Sequence, residues 1–170
     1  MYKITDLTIN YINEKNLKII EYKVGGQLNI DQVIDVYDAS TLGPRRPTKN
    51  RDRMLEMMKH ANLIISAWDG DLMVGIARSF SDFSFATYMS DLAVRESHQK
   101  IGIGKELIKR TQEAAGPNAT LLLTAAPEAE NYYSHIGFVH VPQCWVLPAE
   151  DKLPYYRGIG ATQRTSWKLE

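Results

Sequence analysis

A short glycine-containing stretch, residues 99–105, has the composition of an anion-binding turn. It follows an apolar run that ends at Val94 and precedes a helical pattern, so it is predicted to join a strand to a helix. The first backbone N–H groups of a helix lack internal acceptors, and the helix dipole is positive at that end. Gly102 and Gly104 allow the backbone to approach a phosphate closely, while Lys100 and Lys105 add positive charge. The stretch fits a phosphate site, and glycines at this place are equally typical of a plain turn.

Two common phosphate-binding motifs do not fit this stretch. The dinucleotide fingerprint requires a third glycine, and Leu107 occupies its place. The nucleotide-binding loop that ends in Gly-Lys-Ser/Thr requires an earlier glycine, whose place is taken by Gln99. That loop also requires a hydroxyl residue where this chain has Glu106. Neither motif therefore explains the glycines.

Apolar periodicity and turn residues predict the elements that must position this stretch. Asn29 is predicted to cap the first helix, with Gln32 returning the bond, and the loop 43–47 to end it. Met54, Leu55 and Met58 are predicted to face inward from the second helix. The predicted strands cover residues 17–24, 63–68, 72–77, 85–94, 119–124, 138–141 and 164–168. The later helices are predicted over residues 52–60, 103–115 and 127–136. This order favours a mixed sheet with helices on both faces.

Composition excludes several classes of protein. The chain has 170 residues, which fits a single domain over 1–170, and its 20 basic residues balance its 20 acidic residues. A neutral chain gives no general reason to expect nucleic acid or an anionic membrane as a partner. No apolar run approaches the roughly 20 residues that cross a bilayer. The single cysteine, Cys144, suits a reducing compartment, so a cytoplasmic protein is expected.

Two motifs resemble one family. The sequence Gln99-Lys100-Ile101-Gly102-Ile103-Gly104 resembles the Gln/Arg-x-x-Gly-x-Gly/Ala motif of the GNAT family of N-acetyltransferases. It also lies where that family places the motif, shortly after a strand that ends Leu92-Ala93-Val94. One helix and one strand later the family carries an Asn, an aromatic, Tyr, three residues and Gly-Phe, which matches Asn131-Tyr132-Tyr133-Ser134-His135-Ile136-Gly137-Phe138. The resemblance covers about residues 17 to 141.

The resemblance implies a fold, a cosubstrate and roles for the matching residues. The fold is a central, mostly antiparallel, splayed mixed sheet with helices on both faces. The cosubstrate is acetyl-CoA, with no metal. Backbone amides from Gln99 to Lys105 are expected to hold the pyrophosphate, and Leu92, Ala93 and Val94 to receive the pantetheine arm. Asn131 is expected to bind the pantetheine, and Tyr133 to protonate the departing thiolate. A backbone N–H near a bulge in the Leu92 strand is expected to stabilise the oxyanion.

The general base stays open at this stage. Strand alternation places Asp91 opposite Ser90 and Leu92, so a solvated or capping role is favoured for its carboxylate. Tyr88 and Ser90 share the other face and are candidates to hold a water. Glu128 and His135, on the short helix, are further candidates, and a water chain in place of one base is common in the family.

Acceptor contacts are expected from the first two helices and their loop. Arg45 and Arg46 are candidates to pair with a substrate anion, against the more ordinary expectation of a solvated pair. His60 and His98 are expected to be solvated, and no ligand spacing indicates a metal site. Four aromatic residues are candidates for an apolar pocket, although core positions are more usual at strands: Trp68, Phe80, Phe83 and Phe85.

The resulting hypothesis is transfer of an acetyl group from acetyl-CoA to a primary amine by direct attack in a ternary complex. A small-molecule acceptor is favoured, because no extended acidic tract is present to receive a basic protein tail. The alternatives are a catalytically silent coenzyme A-binding module and a protein or peptide acetyltransferase. Residues 142–170 are expected to add strands or to cover a dimer interface or the acceptor site. Trp145 and Trp167 are candidate contacts of a homodimer.

Overall fold

The computed structural model describes residues 19–147 of the chain. Residues 1–18 and 148–170 and the side chains of Glu128 and Glu130 lie outside the described part. The start of the first predicted strand, the strand predicted over 164–168, Trp167 and most of the tail 142–170 lie there too. The chain divides after Ala125 into two compact units. Within the described part, no helix is long and apolar enough to cross a membrane.

The described elements follow the predicted order closely. The strands are β1 (Ile20–Val24), β2 (Leu63–Asp69), β3 (Leu72–Ser81), β4 (Ala86–Val94) and β5 (Thr120–Leu123). The helices are α1 (Ile30–Asp38), α2 (Arg51–Lys59), α3 (Ile103–Ala115) and α4 (Glu130–His135). Short 3₁₀ turns occupy Gly43–Arg45, Glu96–His98 and Pro127–Ala129.

The strands form one mixed sheet in the order β1-β2-β3-β4-β5. The three pairs from β1 to β4 are antiparallel, while β5 is parallel to β4. Pairing between β4 and β5 runs from Ala86 to Met89 and ends there, so the second half of β4 pairs with β3 alone among residues 19–147. The predicted mixed, mostly antiparallel and splayed sheet is confirmed.

Helices cover both faces of this sheet. The α1 face is a core in which Val33 and Tyr37 pack with Ile76 and Ala93, and Met54 of α2 joins it. On the other face, α3 lies so close to β3 that a Cβ built on Gly75 would be 3.0 Å from Leu107 Cδ1 and 3.2 Å from Ile103 Cγ2. A glycine at this position therefore lets the start of α3 pack against β3 without pressing on Leu107 and Ile103.

Three local predictions were wrong. Asn29 caps α1 by accepting from the Asp31 amide, but Gln32 donates to the Asp71 carbonyl instead of closing a capping box. Leu55 is 39% exposed, because α2 buries one narrow side that is occupied by Met54. Residues 138–141 are not in a strand, although they continue an apolar run after Gly137.

Candidate active site

A β-bulge interrupts β4 where β5 ends. Arg78 of β3 pairs with Asp91 and the next residue, Ser79, pairs with Met89, so Ser90 is an extra residue without a partner on β3. Bulges of this kind bend a strand and re-aim its polar groups. The bulge expected from the family resemblance thus lies at Ser90.

The bulge determines which backbone groups face the open side of β4. Before the bulge, the Phe85 carbonyl accepts from the Thr120 amide of β5, so the backbone N–H and C=O groups of odd-numbered residues point toward β5. After the bulge, the Arg95 amide donates to the Val74 carbonyl of β3 at 2.9 Å, so the backbone groups of odd-numbered residues now point toward β3. Leu92 and Val94 therefore direct their N–H and C=O groups away from β3. Without the extra residue, the backbone groups of Leu92 and Val94 would form hydrogen bonds with β3.

The start of α3 presents backbone donors. Gly102 caps the helix in a left-handed conformation, with φ of 95°, and no side chain caps it. Lys100 is also left-handed, with φ of 64°. The first amide of the helix to find an internal acceptor is that of Glu106, which donates to the Gly102 carbonyl at 3.0 Å. Within the part of the chain that the structure describes, the amides from Lys100 to Lys105 have no protein acceptor. Successive free amides around left-handed residues form a typical anion-binding concavity.

Two further features suit this concavity to an anion. A Cβ built on Gly102 would meet nothing within 4 Å, so the space beside this residue is open. The side chains of Lys100 and Lys105 are exposed beside it. Glu106, in the first turn of α3, accepts from Arg110 Nε at 2.7 Å, so its carboxylate is paired with a cation of the same helix.

Side-chain contacts anchor the loop that carries these amides. Gln99 Nε2 donates to the Val94 carbonyl at 2.9 Å, which fastens the loop to the end of β4. The Gln99 amide itself donates to Glu96, so the free donors start at Lys100. His98 is 6% exposed and lies 3.2 Å from an Asp69 oxygen through Nε2, so the expectation that it is solvated was wrong. His60 is exposed and contacts Glu56, as expected for a solvated residue.

Asp91 was expected to be a solvated or capping residue on the face opposite Ser90, and both expectations were wrong. Its side chain is fully buried. Oδ1 accepts from Arg46 Nε at 2.6 Å, and Oδ2 accepts from the Tyr37 hydroxyl at 2.8 Å and from Arg78 Nε. Burial raises the pKa of Tyr37 well above its ordinary value, and the adjacent carboxylate of Asp91 adds to the rise. Asp91 also shares a face with Ser90, since the bulge cancels the alternation between them.

Arg46 is part of this buried group and not of a solvated pair. Its guanidinium donates from Nη2 to the Ser90 carbonyl at 2.9 Å and from Nη1 to the Arg45 carbonyl at 2.8 Å. Each of its three nitrogens thus donates inside the protein, so the guanidinium is held in this network rather than in a solvated pair. Arg78, whose role the sequence analysis missed, donates from Nη2 to Ser90 Oγ at 2.8 Å. An arginine directly after the apolar run 72–77 was the available signal, since arginine is rarely buried without a partner.

The candidate pocket aromatics lie in different environments. Trp68 is partly buried against the α1 core. The three phenylalanines are exposed, so the expectation of core positions was wrong for them. Phe80 is the cross-strand partner of Tyr88, and Tyr88 is in turn the partner of Leu122. These three side chains are between 39% and 48% exposed and form an apolar row next to the end of β5.

The second unit contains the other motif. Tyr133, in α4, is half-buried, and its ring makes edge contacts with Tyr132 and Phe138 at centroid distances of 5.4 and 5.5 Å. The Phe138 amide donates to the Tyr133 carbonyl at 3.0 Å, through the turn at Gly137, whose φ is 100°. The motif thus has a local structural role, because Gly137 turns the chain so that Phe138 contacts the ring and the carbonyl of Tyr133.

Two further candidates lie on α4. Asn131 is exposed, and its backbone carbonyl accepts from Ser134 Oγ at 3.0 Å and contacts His135 Nδ1. His135 is exposed too. Across residues 19–147, no group of three or more His, Cys, Asp or Glu side chains is arranged to hold a metal ion.

Comparison with known proteins defines the class to which this fold and site belong. Residues 38–144, more than half of the chain, match the profile of the acetyltransferase (GNAT) domain. The chain belongs to the GNAT family of acetyltransferases.

Relatives and solved structures agree with this assignment. An uncharacterized N-acetyltransferase, ycf52, of Porphyra purpurea is 28% identical over 145 residues, which are 81% of this chain and 78% of that protein. An aminoglycoside acetyltransferase from an uncultured soil metagenomic sample, solved with sisomicin, has a TM-score of 0.61 at 16% identity, over 78% of this chain and 97% of that one. Aminoglycoside N-acetyltransferase AAC(6')-Iy, solved with CoA, has a TM-score of 0.60 at 12% identity, over 78% and 95% of the chains. At these identities the solved structures establish the fold.

Proposed function

We propose that this protein is an acetyl-CoA-dependent N-acetyltransferase that acts on a primary amine of a small molecule. The observation that carries the proposal is that this family member has both an open strand edge on β4 and free backbone amides at the start of α3. Leu92 and Val94 direct backbone groups to the open side of β4, and the amides at the start of α3 lack acceptors. GNAT acetyltransferases use acetyl-CoA, whose extended thiol arm and diphosphate would each occupy one of these two features.

The pyrophosphate would be held by the start of α3. Amides of Lys100, Ile101, Gly102, Ile103, Gly104 and Lys105 are the donors in this proposal. Gln99 acts through its side chain, which fixes the loop to Val94. Charge-assisted hydrogen bonds from several backbone amides are short and strong, so this site would supply much of the affinity for coenzyme A.

The pantetheine arm would pair with the open side of β4. The Leu92 carbonyl and the Val94 amide offer it main-chain hydrogen bonds, as a strand offers them to an extended peptide, while the Val94 carbonyl accepts from Gln99. Ala93 is 1% exposed and packs in the α1 core, so its part is to fix the spacing of its two neighbours. Asn131 would bind the amides of the arm.

The acetyl transfer needs a donor for the oxyanion and an acid for the thiolate. The Leu92 amide, the first open-facing group after the bulge, would donate to the thioester oxygen as charge develops there. The amine nitrogen forms a bond to the carbonyl carbon, the carbon–sulfur bond breaks, and the Tyr133 hydroxyl gives its proton to the departing sulfur. No acyl-enzyme is required.

The amine must also lose a proton. Asp91 is unsuited to accept it, because both of its oxygens are already bound by Arg46, Arg78 and Tyr37. We therefore assign this step to water beside the bulge rather than to a buried carboxylate.

A small acceptor is favoured by the chain and by its neighbours in fold. The sequence has no extended acidic tract for a basic protein tail. One of the solved structures of this fold is an aminoglycoside acetyltransferase in complex with sisomicin. The proposal also includes one acetyltransferase domain over 1–170, a cytoplasmic location, and a homodimer in which Trp145 takes part. Trp145 is 94% exposed in the chain as described.

A thiol-release assay tests the proposed function. The purified protein is incubated with acetyl-CoA and a panel of amines that contains aminoglycosides, polyamines, amino acids and lysine peptides. Release of coenzyme A that depends on one amine, with an acetamide product identified by mass spectrometry, is the expected result. Turnover of lysine peptides alone would replace the small-molecule acceptor by a protein. Binding of acetyl-CoA without turnover of any amine would favour a silent coenzyme A-binding module.

A further inference from the structure

Two guanidinium groups hold the bulge residue of β4 from different directions. Arg46 Nη2 donates to the Ser90 carbonyl at 2.9 Å, and Arg78 Nη2 donates to Ser90 Oγ at 2.8 Å. Both arginines are oriented by Asp91, which accepts from each Nε. Ser90 lacks a partner on β3, so these contacts replace the ladder as its support.

Such an arrangement is costly in the interior of a protein. The side chains of Asp91 and Arg78 are 0% and 6% exposed, and two guanidinium charges face one carboxylate. Buried ion pairs often contribute little net stability compared with apolar packing, and a role in fixing one conformation is a hypothesis for each case. Here the backbone that they fix is the segment that turns Leu92 toward the open side of β4.

We propose that Arg46 and Arg78 are positioning residues, which act through Ser90 to hold the bulge so that the Leu92 amide points at the thioester oxygen. Neither guanidinium is proposed to contact acetyl-CoA. Their effect is transmitted through the Ser90 carbonyl and hydroxyl to the peptide groups that follow. A donor that is held in place before the reaction stabilises the developing charge without reorganisation.

Arg46 extends this support to the loop between α1 and α2. It directly follows the Gly43–Arg45 turn, and its Nη1 donates to the Arg45 carbonyl. One side chain therefore fixes both that loop and the bulge. A shift of the loop would move the Leu92 amide, so acceptor binding near the loop would be coupled to acyl activation.

The inference rests on the proposed function, and vibrational spectroscopy of bound acetyl-CoA tests it without a known acceptor. The carbonyl stretch of carbonyl-labelled acetyl-CoA falls in frequency when a donor polarises the thioester. We expect this lowering on binding to the wild type. Arg46→Lys keeps the charge but cannot make both the Asp91 and the Ser90 contacts. We expect the frequency to return toward that of free acetyl-CoA, while the affinity for coenzyme A changes by less than about twofold.

Matched variants separate this effect from general damage. Arg51→Lys makes the same substitution in an exposed pair, where Arg51 Nε lies 3.0 Å from Asp31 Oδ1, and should leave the frequency unchanged. Ser90→Ala removes the Arg78 contact but no charge, and should give a smaller return of the frequency. Once an acceptor is known, Arg46→Lys should lower kcat by about tenfold to a hundredfold, with KM for acetyl-CoA nearly constant.

The outcomes discriminate between the two proposals. A wild type that binds no acetyl-CoA contradicts the proposed function itself. A wild type that binds it without a lowered carbonyl frequency overturns the positioning role, as does a folded Arg46→Lys chain with the wild-type frequency. Loss of coenzyme A affinity in Arg46→Lys also overturns it, since the network would then support binding as a whole. If Arg46→Lys fails to fold, the frequency in Ser90→Ala decides.

Discussion

Arg46 and Asp91, 45 residues apart in the sequence, form an ion pair with 2.6 Å between Nε and Oδ1. The arginine belongs to the loop that follows α1, and the aspartate follows the bulge of β4. The loop expected to meet the acceptor is thereby joined to the strand expected to hold the thioester. The carboxylate is fully buried, whereas 23% of the arginine side chain is exposed.

Asp91→Asn should destabilise the fold strongly. The variant leaves two guanidinium groups without a carboxylate and turns an amide donor toward one of them. Removal of one partner from a buried ion pair typically costs about 3–5 kcal/mol. Denaturant unfolding should report a loss of this size, and Asp31→Asn, in an exposed pair, should change the midpoint little. Equal midpoints for the two variants would contradict the account of the buried network.

Tyr22 should make stability fall at alkaline pH. Burial raises the pKa of Tyr22 from 10.0 to about 12; the nearby Glu106 adds to the rise, and Arg110 opposes it. Between these values the unfolded chain loses the phenol proton and the folded chain keeps it. The unfolded state then binds fewer protons, so the free energy of unfolding decreases as pH rises through this window.

Tyr22→Phe checks this assignment because the ring stays in place over Arg110, whose guanidinium is 4.5 Å from its centroid. The free energy of unfolding of the variant should fall less steeply between pH 10.0 and about 12 than that of the wild type. Parallel curves over this window would mean that the phenol titrates alike in both states.

Gly75→Val should displace α3 and weaken coenzyme A binding. Even a Cβ at this position would be 3.0 Å from Leu107 and 3.3 Å from the Ala93 carbonyl, so a branched side chain must push the helix away from β3. Overpacking of this kind costs about 1–3 kcal/mol. Denaturation measures the loss, and calorimetry with coenzyme A should report weaker affinity, since the amides at the start of α3 move with the helix. Unchanged affinity in a destabilised chain would show that the start of α3 does not hold the diphosphate.

Tyr133→Phe should separate chemistry from binding. The substitution removes only the hydroxyl and leaves the ring contacts with Tyr132 and Phe138 in place. General acids contribute about a hundredfold to ten-thousandfold to a rate. We expect kcat to fall within this range while calorimetry gives an unchanged affinity for coenzyme A. A variant as active as the wild type would require another acid.

The sequence carried enough local information to predict most elements. The bounds of α3, Ile103–Ala115, were predicted to the residue, because Gly102 and Gly116 mark both ends and apolar residues recur along one side. The strand predicted over residues 138–141 is absent, since an apolar run acquires strand structure only from a partner that the local sequence does not specify.

The candidate site was less predictable than the fold. The free amides at the start of α3 follow from a local rule about helix ends, although the glycines alone were equally typical of a plain turn. The bulge at Ser90 depends on the register between β3 and β4, which no short pattern encodes. The role of Asp91 depends on Tyr37, Arg46 and Arg78, which lie on three other segments. Alternation alone therefore placed Asp91 on the face opposite Ser90, whereas the bulge places both residues on one face.

Calorimetric titration with acetyl-CoA tests the central claim most directly. Gly104→Glu places a carboxylate among the proposed phosphate donors, and an acidic residue in the first turn favours the helix, so this variant should fold. Gln112→Glu adds the same charge to an exposed position further along the same helix. We predict clear binding by the wild type and by Gln112→Glu, and a loss of at least about tenfold in affinity for Gly104→Glu. A folded wild type that binds no acetyl-CoA, or a Gly104→Glu chain that binds it equally well, would contradict the account.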